Sequence, residues 1–379
     1  MKTLLAAILG TLVMSMAAAQ TTPQYLADRH VARGVQCAAC HGQDAPKAAL
    51  PEDKDRHEPC VACHGFYDKV AQRTVPKNPE EMNPHSQHDG NLPCTTCHKG
   101  HQAGKNYCAG CSEAELKLFE PAIKKLISLA NEEILPRFLA GTEVFDKKDH
   151  TPVTAADRGA EKVMREWIEA HFPTHGIFGE EFGIKEASGD SFPRYRWILD
   201  PIDGTRAFIH NAFHFGTLIA VERDDGNGFQ PMLGVISHPH VGVWLIGDGE
   251  RAILHGPDSK VRQVHCKETK NLADATLVVT SHWTTPEQKG GKEMQSLIDE
   301  VKLYRTWGDC FGYFSVATGG ADIMIDPDLN YWDVAALVPV IEGSGARLVS
   351  MKGGNPLKDL SAVATNEYLL PEVLRKLAN

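Results

Sequence analysis

Beyond residue 111 cysteine almost vanishes. Eight of the ten cysteines fall between Cys37 and Cys111, and only Cys266 and Cys310 follow. Residues 112–379 therefore look like a protein of a reducing compartment, with two isolated thiols expected to be buried and inert. Positive charge is also short. Lys and Arg number 39 against 49 Asp and Glu, a net charge of −10 that argues against nucleic-acid binding. Repeats and low-complexity tracts are absent from residues 112–379, and no segment beyond the N-terminus is apolar enough to cross a membrane. Residues 20–111 are poor in aliphatic side chains and scattered with Pro, Gly, Asn and His. Such a segment cannot fold around a core of its own side chains.

The one apolar run without charge is at the start. Leu4 to Met14, interrupted by Gly10 and Thr11, follows Lys2 and precedes Ala17-Ala18-Ala19. This reads as a signal peptide over residues 1–19, cleaved before Gln20, which implies export to the periplasm and no membrane attachment afterwards. An uncleaved anchor is the alternative, but the run is short for a bilayer.

Within residues 20–111 one pattern occurs three times: Cys37-Ala-Ala-Cys40-His41, Cys60-Val-Ala-Cys63-His64 and Cys94-Thr-Thr-Cys97-His98. Each cysteine pair suits thioether attachment of haem, and the adjacent histidine suits the proximal iron position. Zinc or disulfides would not require a histidine directly after every second cysteine. Heme c is therefore expected, with the haems replacing a side-chain core. Among the histidines outside the motifs, His30, His85 or His88, and His101 are the candidate distal ligands, with His57 also free of the motifs. The stretch from His85 to Cys94 resembles the small tetrahaem cytochromes, which also occur as the N-terminal domain of fumarate-reductase flavocytochromes. The fourth motif departs from that family: in Cys108-Ala-Gly-Cys111-Ser112 the histidine is a serine. Three haems are expected, with the fourth doubtful and a Cys108–Cys111 disulfide as its competitor. A redox partner would dock on this module.

The sequence changes style at Ser112. Ser112-Glu-Ala-Glu115 reads as a capping box, and Leu116, Phe119, Ile123, Leu126, Ile127, Ala130 and Ile134 follow at helical spacing. No Pro/Gly/Ser linker intervenes, so the joint reads as two otherwise independent proteins spliced together, with a natural fusion as the alternative. The domain boundaries expected are 1–19, 20–111 and 112–379. In the last of these, Thr154 caps a second helix. Apolar strands follow at 197–199, 215–221, 232–236, 243–246, 276–279 and 321–325, and a helix runs from Asp333 to about Gly343. Pattern alone gives mixed α and β.

The chemistry lies in carboxylates. Glu180 and Glu181 sit in a turn-like Gly179-Glu-Glu-Phe-Gly183. Asp200-Pro-Ile-Asp203-Gly204-Thr205 follows a buried strand, so that Asp200 is expected to end it. Asp333 follows Trp332 at a helix start. Singly, these read as a solvated pair, a turn and a cap; together they form an oxygen set suited to a hard divalent ion. Ile202 can add its carbonyl, and the helix opening at Thr205 presents free N–H groups to a phosphate.

These motifs, with Thr154-Ala-Ala-Asp157 and Trp332-Asp-Val-Ala-Ala336, resemble those of the inositol-monophosphatase superfamily over residues 112–379. The resemblance implies an αβαβα layered sandwich, a homodimer, and Mg2+-dependent hydrolysis of a small-molecule phosphate ester. It implies Glu180, Asp200, Ile202, Asp203 and Asp333 as ligands for roughly two or three Mg2+ ions per site, with Asp157 and Thr205 positioning the attacking water and Glu181 supporting them. Gly204, Thr205, Arg206, Asp309 and Asp326 would face the substrate. Arg206-Ala-Phe208, Arg305-Thr-Trp-Gly-Asp309-Cys-Phe-Gly-Tyr313 and Asp326 resemble the histidinol-phosphatase branch. Two acids beside the alcohol suit the amine and imidazole of histidinol better than neutral inositol, unless Asp309 pairs with Arg305 or Arg206. The alternatives are an inositol or broad sugar-phosphate phosphatase, and an electron carrier with a non-catalytic C-terminal domain. A phosphatase alone would fit the cytoplasm. His238, His240 and His282 read as structural or surface residues.

Overall fold

The computed structural model describes residue 64, residues 67–73 and residues 107–378, apart from 142, 148–151, 190–191 and 283–290. Contacts divide the chain into two units, Met1–Ala109 and Gly110–Asn379. In the first, helix α1 (Tyr67–Arg73) is described, and Arg73 Nη1 donates to the His64 carbonyl at 3.3 Å. His64 is exposed. The leader, the three cysteine pairs at 37/40, 60/63 and 94/97, His41, His98 and the distal candidates His30, His85, His88 and His101 lie outside the described residues.

Helix α2 (Tyr107–Ile134) corrects one expectation. Ser112 is inside the helix rather than capping it. Nothing in Tyr107-Cys-Ala-Gly-Cys-Ser stops a helix driven by the apolar stripe that follows, since no proline intervenes. Glu115 does not reach back to a cap; its carboxylate takes Arg223 Nη1 at 2.6 Å and the Tyr195 hydroxyl at 3.3 Å. The backbone of Cys108 and Cys111 is helical, and their side chains lie outside the described set.

After the hairpin β1 (Val144–Asp146) and β2 (Pro152–Thr154), helix α3 (Ala155–His171) leads into a mixed eight-stranded sheet. Its strands are β3 (Gly176–Gly179), β4 (Gly183–Lys185), β5 (Arg194–Asp203), β6 (Gly216–Asp224), β7 (Gln230–His238), β8 (Val243–Gly247), β9 (Ala252–His255) and β10 (Val261–Val264), in the order β10-β9-β8-β7-β6-β5-β3-β4. The short α4 (Thr205–Ile209) sits between β5 and β6. A five-stranded sheet follows, with β11 (Thr276–Val279), β12 (Leu303–Arg305), β13 (Ile323–Asp326), β14 (Arg347–Val349) and β15 (Ala362–Thr365) in the order β12-β11-β13-β15-β14. Helices α5 (Gly291–Ile298), α6 (Asp309–Ala317), α7 (Tyr331–Gly343), α8 (Pro356–Asp359) and α9 (Leu370–Leu377) complete the unit.

Alternation along the strands builds the layers. Trp197, Leu199, Ile219, Val221, Leu233 and Val235 face α2 and α3, whereas Ile198, Leu218, Ala220 and Ile236 face α6 and α7. Val278, Met324 and Ala364 of the second sheet close that middle layer, and Leu277, Val279, Ile323 and Ile325 face Met294 of α5 and Val373 of α9. The result is an αβαβα sandwich. Helix α7 is apolar nearly all round because a sheet lies on each side of it.

The two thiols differ: Cys310 is buried, but Cys266 is only half-buried. Close approach of α7 to the first sheet depends on Gly234, where an added Cβ would lie 2.0 Å from the Ala336 carbonyl oxygen. Backbone cannot yield cheaply at that distance. Gly234→Ala should therefore destabilise the protein by about 3 kcal/mol, read as a lower urea midpoint with little change in slope.

Candidate functional site

The site begins in β5, which does not end at Asp200 but continues to Asp203. Asp200 pairs with Leu218 and Asp203 with Gly216, so three steps on β5 match two on β6. This is a bulge. In a regular strand, residues three apart face opposite sides; the extra residue lets Asp200 and Asp203 converge. Pro201 has no N–H to give the ladder, and its carbonyl instead accepts from Thr217 Oγ1 at 2.8 Å.

Asp333 reaches the same place from the first turn of α7, where Oδ2 accepts the Asn330 N–H at 2.6 Å in a capping box. Asp200, Asp203 and Asp333 each offer one oxygen within 4.8 Å of the others. Asp203 Oδ2 is gripped by the backbone N–H of Cys310. Glu180, in the turn after β3, lies near enough to Asp200 for its charge to act on that carboxyl. Lys147 Nζ spans both glutamates, 2.7 Å from Glu180 Oε1 and 2.6 Å from Glu181 Oε1.

Burial and like charge dominate here. Burial first, then the charges of Glu180, Asp203 and Asp333, push the Asp200 carboxyl well above its ordinary range. Burial, then Asp309 and Asp333, does the same to Asp203. Burial lifts Glu181 to about 7 against the pull of Lys147. Burial would lower the Lys147 ammonium, yet Glu180 and Glu181 raise it overall. Such a set is suited to a hard divalent cation. Asp200 Oδ1 is buried without a hydrogen-bond partner, a lone pair that a cation would satisfy, and all the converging donors are oxygens.

Beside this cluster, Asp157 is buried at the start of α3. Its Oδ2 takes the Thr154 N–H at 2.8 Å and the Thr154 hydroxyl at 2.5 Å, leaving Oδ1 to the Thr205 hydroxyl at 3.2 Å. Thr205 also donates to the Ile202 carbonyl at 3.1 Å.

Of the acids expected to face the substrate, Asp309 is half-buried and Asp326 is buried. Asp309 lies over Gly204, is held at φ 51°, and gives its N–H to Thr280 Oγ1 at 2.8 Å. That backbone conformation is costly for a non-glycine residue. Its carboxylate meets His214 Nε2 at 3.6 Å, whereas the exposed Arg305 turns to the Tyr304 carbonyl. Arg206 is exposed. Asp326 lies close enough to Asp309 for that charge, after burial, to help raise its carboxyl. It is buried, with the Tyr313 hydroxyl on Oδ2 at 3.0 Å and hydrogen bonds from Thr280.

Three residues joining this region escaped sequence reasoning: Lys147, His214 and Glu161. Their partners are distant in sequence and no motif contains them. His238 is buried, with Nδ1 3.0 Å from the Phe215 carbonyl oxygen and Nε2 unpartnered beside Phe311 and Phe314. His240 is half-buried, and His282 is exposed against the Tyr304 hydroxyl. Among the described residues, no helix is long and apolar enough to cross a membrane.

Known proteins resemble both parts of the chain. Residues 116–379 match the model of the inositol monophosphatase family, and residues 29–113 match that of cytochrome c3. A histidinol-phosphatase of Chlorobaculum parvum is 37% identical over 218 residues, covering 57% of this chain and 79% of that protein. Another, from Streptomyces coelicolor, is 31% identical over 251 residues, 66% of this chain and 92% of its own. The solved structure of an inositol monophosphatase from Zymomonas mobilis superposes with a TM-score of 0.59 at 31% identity, over 70% of this chain and 99% of that one.

His238 gives the region a pH signature. Burial lowers its imidazole to about 4 from the usual 6.5. The unfolded chain thus binds the proton first as pH falls. Its contribution is intact above pH 6.5, declines below it and is lost by about pH 4, on the order of 3 kcal/mol in all. Urea midpoints between pH 7.5 and 4.5 should fall more steeply in the parent than in His238→Gln; parallel curves would remove His238 as a cause.

Proposed function

The chain belongs to the inositol monophosphatase family, and from that premise we propose that it hydrolyses L-histidinol phosphate to L-histidinol and phosphate with Mg2+. The observation that carries the catalytic part of this reading is the convergence of Asp200, Asp203 and Asp333, with Glu180 near Asp200. These four, with the Ile202 carbonyl, would hold roughly two or three ions. Bound there, the ions supply charge for the phosphoryl oxygens and an acidified water.

The chain's own groups do the rest. Asp157 is fixed through Oδ2, so its Oδ1 and the Thr205 hydroxyl form a rigid pair able to orient a water and accept its proton. Glu181, lifted to about 7 by burial, stands next to them as a second proton acceptor. The water oxygen bonds to phosphorus in line as the bond to the alcohol oxygen breaks, with no phosphorylated side chain between. Gly204, Thr205 and Arg206 would face the phosphate.

Substrate preference rests on Asp309. Its side chain is 19% exposed and its near neighbour is His214 at 3.6 Å, with Arg206 acting at longer range. An acid so sparsely compensated favours an alcohol that brings an ammonium or imidazolium group over neutral inositol. Asp326, already engaged by Tyr313 and Thr280, would support Asp309 rather than contact the alcohol.

For the N-terminal segment we propose an electron-transfer module carrying heme c, working independently of the hydrolase. The cytochrome c3 match and the three intact motifs support this.

Phosphate release from histidinol phosphate should require Mg2+, stop with chelator, and fall by about a thousandfold or more in Asp200→Asn, because an essential oxygen ligand is lost. Histidinol phosphate should exceed inositol 1-phosphate in kcat/KM by about tenfold or more, and Asp309→Asn should narrow that ratio by raising KM for histidinol phosphate. Equal activity in Asp200→Asn would overturn the site, and an unchanged ratio the preference. Intact-mass measurement of the mature chain should show three haems and no residues 1–19; two haems, or four, would contradict the motif reading.

A further inference from the structure

We infer that Glu161 and Arg165 of α3 form a positioning device for the turn that carries Glu180 and Glu181, and so set how tightly the carboxylate cluster binds a divalent cation. This rests on the metal-dependent reading above. Neither residue belongs to the cluster or to any motif singled out in the sequence.

Glu161 is fully buried. Its Oε2 accepts the Glu181 N–H at 2.7 Å, and its Oε1 accepts the Phe182 N–H at 3.1 Å. Arg165, one helical turn on, donates from Nη1 to Glu161 Oε1 and to the Gly183 carbonyl, both at 2.9 Å. The pair thus grips two N–H groups and one carbonyl of the short link from β3 to β4. The Glu181 N–H belongs to the peptide whose carbonyl is that of Glu180. Holding it fixes the backbone one bond from the residue whose charge acts on Asp200. Glu161 also lies four residues after Asp157. One face of α3 therefore presents one carboxylate to Thr205 and the next to this turn.

An independent observation shows how closely the two are fitted. A Cβ on Gly179, directly before Glu180, would lie 2.0 Å from Glu161 Oε1. The carboxylate occupies the space a side chain would take. A glutamate serving only as an ion-pair partner of Arg165 would not need to sit against that backbone. A buried carboxylate is costly unless its acceptor capacity is used. Here it is used on the backbone of a turn and on one arginine, rather than on solvent.

The device makes two substitutions converge. In Glu161→Gln the amide NH2 must face either a backbone N–H or the guanidinium, so one grip becomes repulsive. In Gly179→Ala the glutamate remains, but the new methyl group displaces its carboxylate from the turn. Both should loosen Glu180 without touching an oxygen of the cluster.

The test uses the full chain and three readouts: Mn2+ binding followed by electron paramagnetic resonance, the Mg2+ concentration for half-maximal phosphate release, and the thermal midpoint in chelator. Both variants should bind Mn2+ about tenfold or more weakly, the range for partners that orient ligands. Both should need correspondingly more Mg2+, recover most of kcat when Mg2+ is raised, and keep KM for the ester within about twofold at saturating Mg2+. If the parent binds Mn2+ and works with Mg2+ while both variants bind Mn2+ as the parent does, the device does not exist, even if their midpoints fall. If Glu161→Gln does not fold, Gly179→Ala decides alone. A parent that binds no Mn2+ and ignores Mg2+ would instead sink the metal-dependent reading itself.

Discussion

Mutual repulsion among buried carboxylates is the constraint around which this hydrolase is built. Asp200, Asp203 and Asp333 crowd into one place beside Glu180, and burial and like charge both oppose ionisation of the three aspartates. No packing of apolar side chains would assemble them. Each is instead committed by backbone: a strand with an extra residue, a helix start, a tight link between two strands. The Cys310 N–H on Asp203 and the Asn330 N–H on Asp333 each tie down one oxygen. The two sheets supply rigidity for an arrangement that would fly apart in a looser fold.

Much of this was legible in the sequence, for physical reasons. Alternation in Trp197-Ile198-Leu199 and Leu218-Ile219-Ala220 reports a sheet buried on both faces, and the stripe from Leu116 to Ile134 reports a helix. The carboxylates were legible because they are clustered locally and flanked by Pro and Gly. What stayed hidden was non-local or context-dependent. Asp200 was expected to end its strand; Pro201 was the one hint of a bulge, and its meaning depends on the partner strand. Ser112 satisfies a capping pattern, but local pattern is weaker than a helix propagating backwards from a strong apolar stripe. The Tyr313 hydroxyl on Asp326 joins two separate elements and has no local signal. Lys147, His214 and Glu161 meet their partners only in the fold.

The cysteine break coincides with a change of family. The cytochrome c3 match ends at residue 113 and the inositol monophosphatase match begins at 116, so the families abut almost without a spacer. Helix α2 starts at Tyr107, before either limit. The residues of the broken fourth motif thus have helical backbone at the start of the phosphatase's first long helix.

Asp157 and Asp333 occupy the same local slot, the third position of a helix, and each closes a capping box with one oxygen while turning the other side of the carboxylate inward. On the proposed reading, folding and turnover therefore draw on the same two side chains. A drifting lineage that abandons hydrolysis could not shed these acids freely, because two helices would fray at their origins. Vestigial members of such a fold should keep both aspartates long after the ester has ceased to matter, so their persistence in a chain is a weaker sign of activity than it looks, and loss of Asp200 a stronger sign of retirement.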